Sequence, residues 1–112
     1  MTASDGLHPA TEDIRLPTVL AALADPARLA TVQTLAQVGE SACTQLQEAA
    51  GLSISRSTFS HHQKVLREAG IISVRIHGTQ RLLSLRRTDL DACCPGLLDA
   101  VTSARADSPQ PV

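Results

Sequence analysis

Apolar positions recur with helical spacing over the first half of the chain and switch to alternation near residue 72. Leu16, Leu20 and Leu23 predict a first helix over about Ile14–Ala24. Asp25-Pro26 then offers an N-cap and a first helical residue, and Gly39 suits the position past the end. Leu29, Val32, Leu35 and Ala36 form the inward stripe of that second helix. Thr44 and Gln47 stand three apart, as in a capping box, and predict a short helix ending at Gly51. Gly51-Leu52-Ser53 reads as a tight turn, with Ser53 placed to cap a fourth helix over about Ile54–Ala69.

That fourth helix divides sharply. Ile54, Thr58, Phe59, His62, Val65, Leu66 and Ala69 fall on one side; Ser55, Arg56, Ser57, Ser60, His61, Gln63, Lys64 and Arg67 fall on the other. After Gly70 the period changes. Ile72, Val74 and Ile76 alternate with Ser73, Arg75 and His77, a turn at His77-Gly78-Thr79 follows, and Arg81–Leu85 returns as a second strand. A last helix begins at Thr88 and is split by Pro95. The expected class is mainly α with a β-hairpin, in the order α-α-α-α-β-β-α. A single domain over 14–102 lies between polar tails at 1–13 and 103–112.

Composition narrows the class. The chain has 112 residues, enough for one modest core, and Phe59 is its only aromatic residue. No apolar run approaches the roughly 20 residues a bilayer-spanning helix needs. The N-terminal MTASDGLHP lacks the regions of a signal peptide, so a cytoplasmic location is expected, with no membrane partner. Three cysteines, two of them adjacent, make a poor disulfide framework. Net charge is near zero, but its distribution is uneven. Between Arg56 and Arg87 seven bases face one acid, Glu68, for a local +6; the remaining three bases and ten acids bring the whole chain to −1. Such a segment is the electrostatic footprint expected against a polyanion.

A short helix, a tight turn and a longer helix with a basic outer face make a helix-turn-helix. Its second helix fits the major groove of double-stranded DNA, where base edges are readable. On the DNA-binding face, which begins at Ser55, the side chains of Ser57, Ser60, His61 and Gln63 suit base edges, and Arg56, Lys64 and Arg67 suit phosphates or guanine. Arg75, His77, Thr79, Gln80 and Arg81 near the hairpin tip would form a wing beside the groove. An enzyme reading lacks support: Ser60 and His61 point apart on a helix, and no phosphate-binding loop or nucleophile elbow occurs. A winged helix that binds proteins instead of DNA is the alternative.

LADPARLATVQTL, then SISRSTFSHHQKVLREAGII, then a Gly-tipped hairpin resembles the ArsR/SmtB family of winged-helix repressors, from about Leu16 to Val101. The resemblance implies a homodimer on a palindromic operator, joined through the first and last helices by Leu16, Leu20, Leu23, Leu90, Leu97, Leu98 and Val101. It also implies release by a metal ion or other signal. Gln63 departs from the family pattern, standing where an apolar residue is usual. His61 and His62 lie about 100° apart on a helix and do not share an ion easily. His61 is read as groove-facing, and His62 as inward and hydrogen-bonded.

The family's Cys-x-Cys site is absent, because Ala42 and Thr44 occupy its positions with Cys43 between them. Asp89 and Asp91 resemble the start of its last-helix site, but no histidine follows His77. Cys93-Cys94 remains. Adjacent thiols suit As(III) or another thiophilic ion, with a third sulfur from Cys43 or a small thiol; alternatively these cysteines are packing residues. Ni(II) held by His8, His77 or carboxylates, and sensing by a separate partner protein, also stay open.

Overall fold

The computed structural model describes residues 8–104. Six helices and a small sheet follow one another as α1 (Leu16–Leu23), α2 (Pro26–Val38), β1 (Ser41–Ala42), α3 (Cys43–Ala49), α4 (Arg56–Glu68), β2 (Ile72–His77), β3 (Gln80–Leu85), α5 (Arg87–Cys93) and α6 (Leu97–Ser103). The architecture is a winged helix-turn-helix. Its sheet is antiparallel, in the order β1-β3-β2.

Local signals explain most boundaries. The Asp25 carboxylate accepts the Arg28 amide at 3.0 Å and caps α2, with Pro26 behind it. Ser55, rather than Ser53, caps α4 by accepting the Thr58 amide at 3.1 Å. The Thr44–Gln47 capping box does not form. β1 runs directly into α3, so Thr44 already lies inside the helix and no side chain caps it. Gln47 instead donates to the Ile54 carbonyl at 2.7 Å, bracing the turn between α3 and α4. That turn closes as a Schellman motif: Leu52 N–H bonds Gln47 O, Gly51 N–H bonds Glu48 O, and Gly51 takes φ +70°.

β1 was not legible as a strand because it has two residues, Ser41 and Ala42, paired with Leu83 and Leu82. Thr88 does not cap the last helix, which starts one residue earlier at Arg87 with no side-chain cap. Pro95 does interrupt it, and α6 restarts after Gly96. The wing turns through Gly78 and Thr79, with positive φ only at Gly78, as a type II′ hairpin requires.

The core joins Val19 of α1, Val32 and Leu35 of α2, Leu46 of α3, Phe59 and Leu66 of α4, Ile72 and Leu83 of the wing, and Leu90 and Leu98 of α5 and α6. Burying these apolar side chains stabilises the fold by roughly 1.5–3 kcal/mol each against full exposure. Thr58, expected inward, is exposed, and Ala36 is exposed too.

The segment before α1 is built into this body rather than trailing from it. A 3-10 turn at Thr11–Asp13 leads to buried Ile14. His8 Nε2 accepts the Val74 amide at 3.1 Å, covering part of the outer edge of β2. Thr11 Oγ1 donates to Asp89 at 2.5 Å. The remainder of that expected tail, 1–7, and the stretch 105–112 lie outside the described residues.

Candidate nucleic-acid interface

α4 displays one polar stripe. Arg56, Ser57, Ser60, His61 and Lys64 are all exposed, at spacings that place them on one side of the helix. Ser55 stands at its head, where its hydroxyl is occupied by the cap and by Ser57 and Thr58. His77, Thr79, Gln80 and Arg81 are exposed at the wing tip. Because β1 pairs with β3, the tip is held near the start of α3 and α4. Arg56, Ser60, Thr79, Gln80 and Arg81 line one cleft of about 260 Å³ with Cys43.

Gln63 is a correction: it is only 3% exposed, and its Nε2 donates to Cys43 Sγ at 2.9 Å. It cannot reach a base, and packs instead in the seam between α3 and α4. Arg67 is likewise buried, at 9% exposed, with an unpartnered Nε. Both fall on the Phe59–Leu66 side because positions 59, 63, 66 and 67 share a helix face. Their polarity had put them outside; the three- and four-residue spacing put them inside.

The basic segment is also less cationic than its formal charge. Arg75 grips Glu40 through two nitrogens at 2.8 and 2.9 Å, Arg86 pairs with Asp89 at 2.9 Å, and Arg87 pairs with Asp99 at 2.8 Å. Each acid comes from outside the 56–87 segment, so a sequence count could not see the neutralisation. The Arg75 pair also holds the Glu40 carboxyl below its ordinary value through that hydrogen bond. Among the described residues Arg56, Lys64 and Arg81 make no ion pair.

The two histidines have separate situations. His61 is exposed on the stripe. His62 is turned inward, with Nδ1 3.1 Å from an Arg28 nitrogen and Nε2 3.8 Å from Asp25. A guanidinium only donates, so Nδ1 accepts and the proton sits on Nε2, toward the Asp25 carboxylate. Burial pushes the His62 pKa down, and Asp25 only partly offsets that.

A family model for helix-turn-helix domains matches residues 23–75, the span from α1's last residue into the wing. The uncharacterized HTH-type transcriptional regulator YceK of Bacillus subtilis (strain 168) is 34% identical over 84 residues, covering 74% of this chain and 82% of that protein. The chain belongs to the helix-turn-helix transcriptional regulators. A crystal structure of an ArsR family transcriptional regulator matches with a TM-score of 0.61 at 22% identity, covering 88% of this chain and 99% of that one. The regulator therefore has the ArsR-type fold. It is a DNA-binding protein and not an enzyme, and no helix among the described residues is long and apolar enough to cross a membrane.

The regulator's cysteines separate into two places. Cys43 lines the cleft under Gln63. Cys93 and Cys94 sit at the end of α5 with their sulfurs 3.0 Å apart, and Cys93 Sγ also donates to the Ile14 carbonyl at 3.3 Å. Cys94 donates its thiol hydrogen to Cys93 Sγ, and that hydrogen bond, helped by burial, pushes the Cys94 thiol up to about 11. Among the described residues no three His, Cys, Asp or Glu side chains are grouped to hold a metal ion. One chain thus does not bring Cys43 to Cys93 and Cys94, and it does not fit a three-sulfur ion such as As(III). Nor does it gather His8, His77 and carboxylates for Ni(II).

Within the apolar set expected at a dimer interface, Leu23, Leu90 and Leu98 are buried in the chain's own core. Leu16 and Leu20 remain 45% and 47% exposed on α1, and Leu97 and Val101 are half-buried.

Proposed function

We propose that this regulator is a homodimeric repressor that acts in the cytoplasm by occupying a palindromic operator. The observation that carries the DNA face is the set of three unpaired cations, Arg56, Lys64 and Arg81, flanking Ser57, Ser60 and His61. The other bases of the segment are paired or buried. In this reading α4 enters the major groove, Ser57, Ser60 and His61 meet base edges, and Arg56, Lys64 and Arg81 hold phosphates. Ser55 orients the helix start, and His77, Thr79 and Gln80 rest the wing on flanking backbone. Arg75 contributes little charge, since Glu40 already matches it.

Leu16 and Leu20, with Leu97 and Val101 beside them, form the apolar surface proposed for the second copy. Two α4 helices would then lie about one helical turn of DNA apart, near 34 Å. The test is operator selection from a randomised duplex pool. Ser57→Ala with His61→Ala should relax base preference while keeping most nonspecific affinity, and Lys64→Ala should weaken all sequences alike. If the double variant kept the wild-type preference, the base-reading assignment would be wrong.

A thiol-responsive reading has one observation in its favour, the 3.0 Å separation of the Cys93 and Cys94 sulfurs. It needs a third sulfur, from Cys43 of the partner subunit or from a small thiol. Arsenite that released DNA from the reduced regulator, but not from Cys93→Ser/Cys94→Ser, would support it. Release unaffected by those substitutions would leave the two thiols as packing residues and move sensing to another ligand or a partner protein.

A further inference from the structure

The cleft between the start of α4 and the wing tip has more structure than DNA contact requires. Its volume is about 260 Å³, several times that of one phosphate group, and it is walled by three separate pieces of chain. Ala42, Cys43 and Phe59 give its lining apolar surface, and Thr44, Ser60 and Gln80 bring hydroxyl and amide groups. Arg56 comes from α4 and Arg81 from β3, and neither is ion-paired among the described residues. That contrasts with Arg75, Arg86 and Arg87, each of which has a carboxylate at 2.9 Å or closer.

Two guanidiniums left without carboxylates and lining one cleft, with hydroxyl groups of Thr44, Ser60 and Thr79 in the same lining, suit a tetrahedral dianion. We propose that this cleft is a phosphate-binding site, filled by a DNA backbone phosphate in the operator complex and open to a free phosphoester when DNA is absent. The surplus volume and the apolar part of the lining leave room for a small organic body on that phosphate. Such a ligand would occupy the space between recognition helix and wing, so it would release DNA by direct competition. No shift at Cys93 and Cys94 or at the dimer face would be needed. The proposal rests on the DNA-binding reading for one of its two phosphate sources, and stands apart from that reading for the other.

The test uses the full chain, labelled with 15N, titrated with inorganic phosphate against chloride at matched ionic strength. Signals of Arg56, Ser60, Gln80 and Arg81 should shift saturably with phosphate and not with chloride. Arg56→Gln or Arg81→Gln should weaken the response by about tenfold or more, the scale of one lost charge-assisted hydrogen bond. Arg87→Gln should leave it unchanged. A second arm adds a short DNA duplex. If phosphate displaces the duplex beyond the chloride control, both sources share the cleft. Saturable phosphate shifts with a duplex that leaves these signals unmoved would support a free phosphoester site while removing the DNA face from it. Shifts that follow ionic strength equally in both salts, or that spread to Lys64, Arg75 and Arg87 alike, would overturn the proposal.

Discussion

Gly70 shows how much a single position can hold. It ends α4 with φ +86°, and a Cβ built there would stand 2.5 Å from Ile14 Cγ1. Gly70→Ala should therefore cost about 2–4 kcal/mol, combining left-handed strain with overpacking, read as a lowered denaturant midpoint. Phe59 is the largest side chain of the core, and Phe59→Ala should cost about 3–5 kcal/mol by the same measurement. Gln63 makes the opposite case. Its amide is buried between α3 and α4 and donates to the weak acceptor Cys43 Sγ, so Gln63→Leu should change stability by under about 1.5 kcal/mol. Base preference should not change at all; a relaxed operator preference in Gln63→Leu would return this residue to the DNA face. At this scale the sequence was legible wherever a residue's role depends on its near neighbours. Asp25, Pro26, Gly51 and Gly78 behave as their chemistry suggests. Gln63 and Arg67 did not, because burial depends on which neighbour covers a face.

Between elements, the contacts that position α4 are polar as well as apolar. The Arg28–His62–Asp25 group links the start of α2 to the middle of α4, and Asp25 also caps α2. His62 is held neutral in the fold, with its pKa lowered by burial. The unfolded chain therefore binds the extra proton first, and stability should fall as pH drops below the histidine's ordinary 6.5 toward the lower folded value. His62→Gln should flatten that dependence in thermal melts between pH 7 and 5; an unchanged slope would place its origin elsewhere.

Asp89 works on the acid side. Hydrogen bonds from Thr11 and Arg86 lower its pKa, so the stability it contributes is present above the ordinary carboxylate value and is lost as pH falls through the lower folded value. The segment carrying His8 and Thr11 should loosen over that same window. Its sequence is polar and aperiodic, which hid the hydrogen bonds it makes with Val74 and Asp89. β1 was hidden for a related reason, since two residues carry no period.

For the molecule as a whole, charge and apolar surface divide the work. The formal +6 of the basic segment shrinks on folding, since Arg75, Arg86 and Arg87 meet acids and Arg67 is buried. What is left is concentrated on α4 and the wing tip. The order of helices and hairpin was legible in the sequence because its period switches cleanly, and that order carried the winged helix. The pairing of distant charges was not. Leu16 and Leu20 stay exposed on α1, so under the proposed homodimer Leu16→Ser/Leu20→Ser should sediment as a monomer and bind operator at least about tenfold more weakly than wild type, through lost bivalency. A variant that sedimented like wild type would show that these leucines do not form the interface.

The most direct test of the DNA face is the slope of log affinity against log salt for wild type and for Arg56→Gln/Lys64→Gln/Arg81→Gln. Each phosphate contact contributes about 0.9 to that slope, so the triple variant should lose about 2.7 per chain and about 5.4 for a dimer with both wings engaged. A slope unchanged by removing all three charges would contradict the assignment of α4 and the wing tip as the surface that holds DNA.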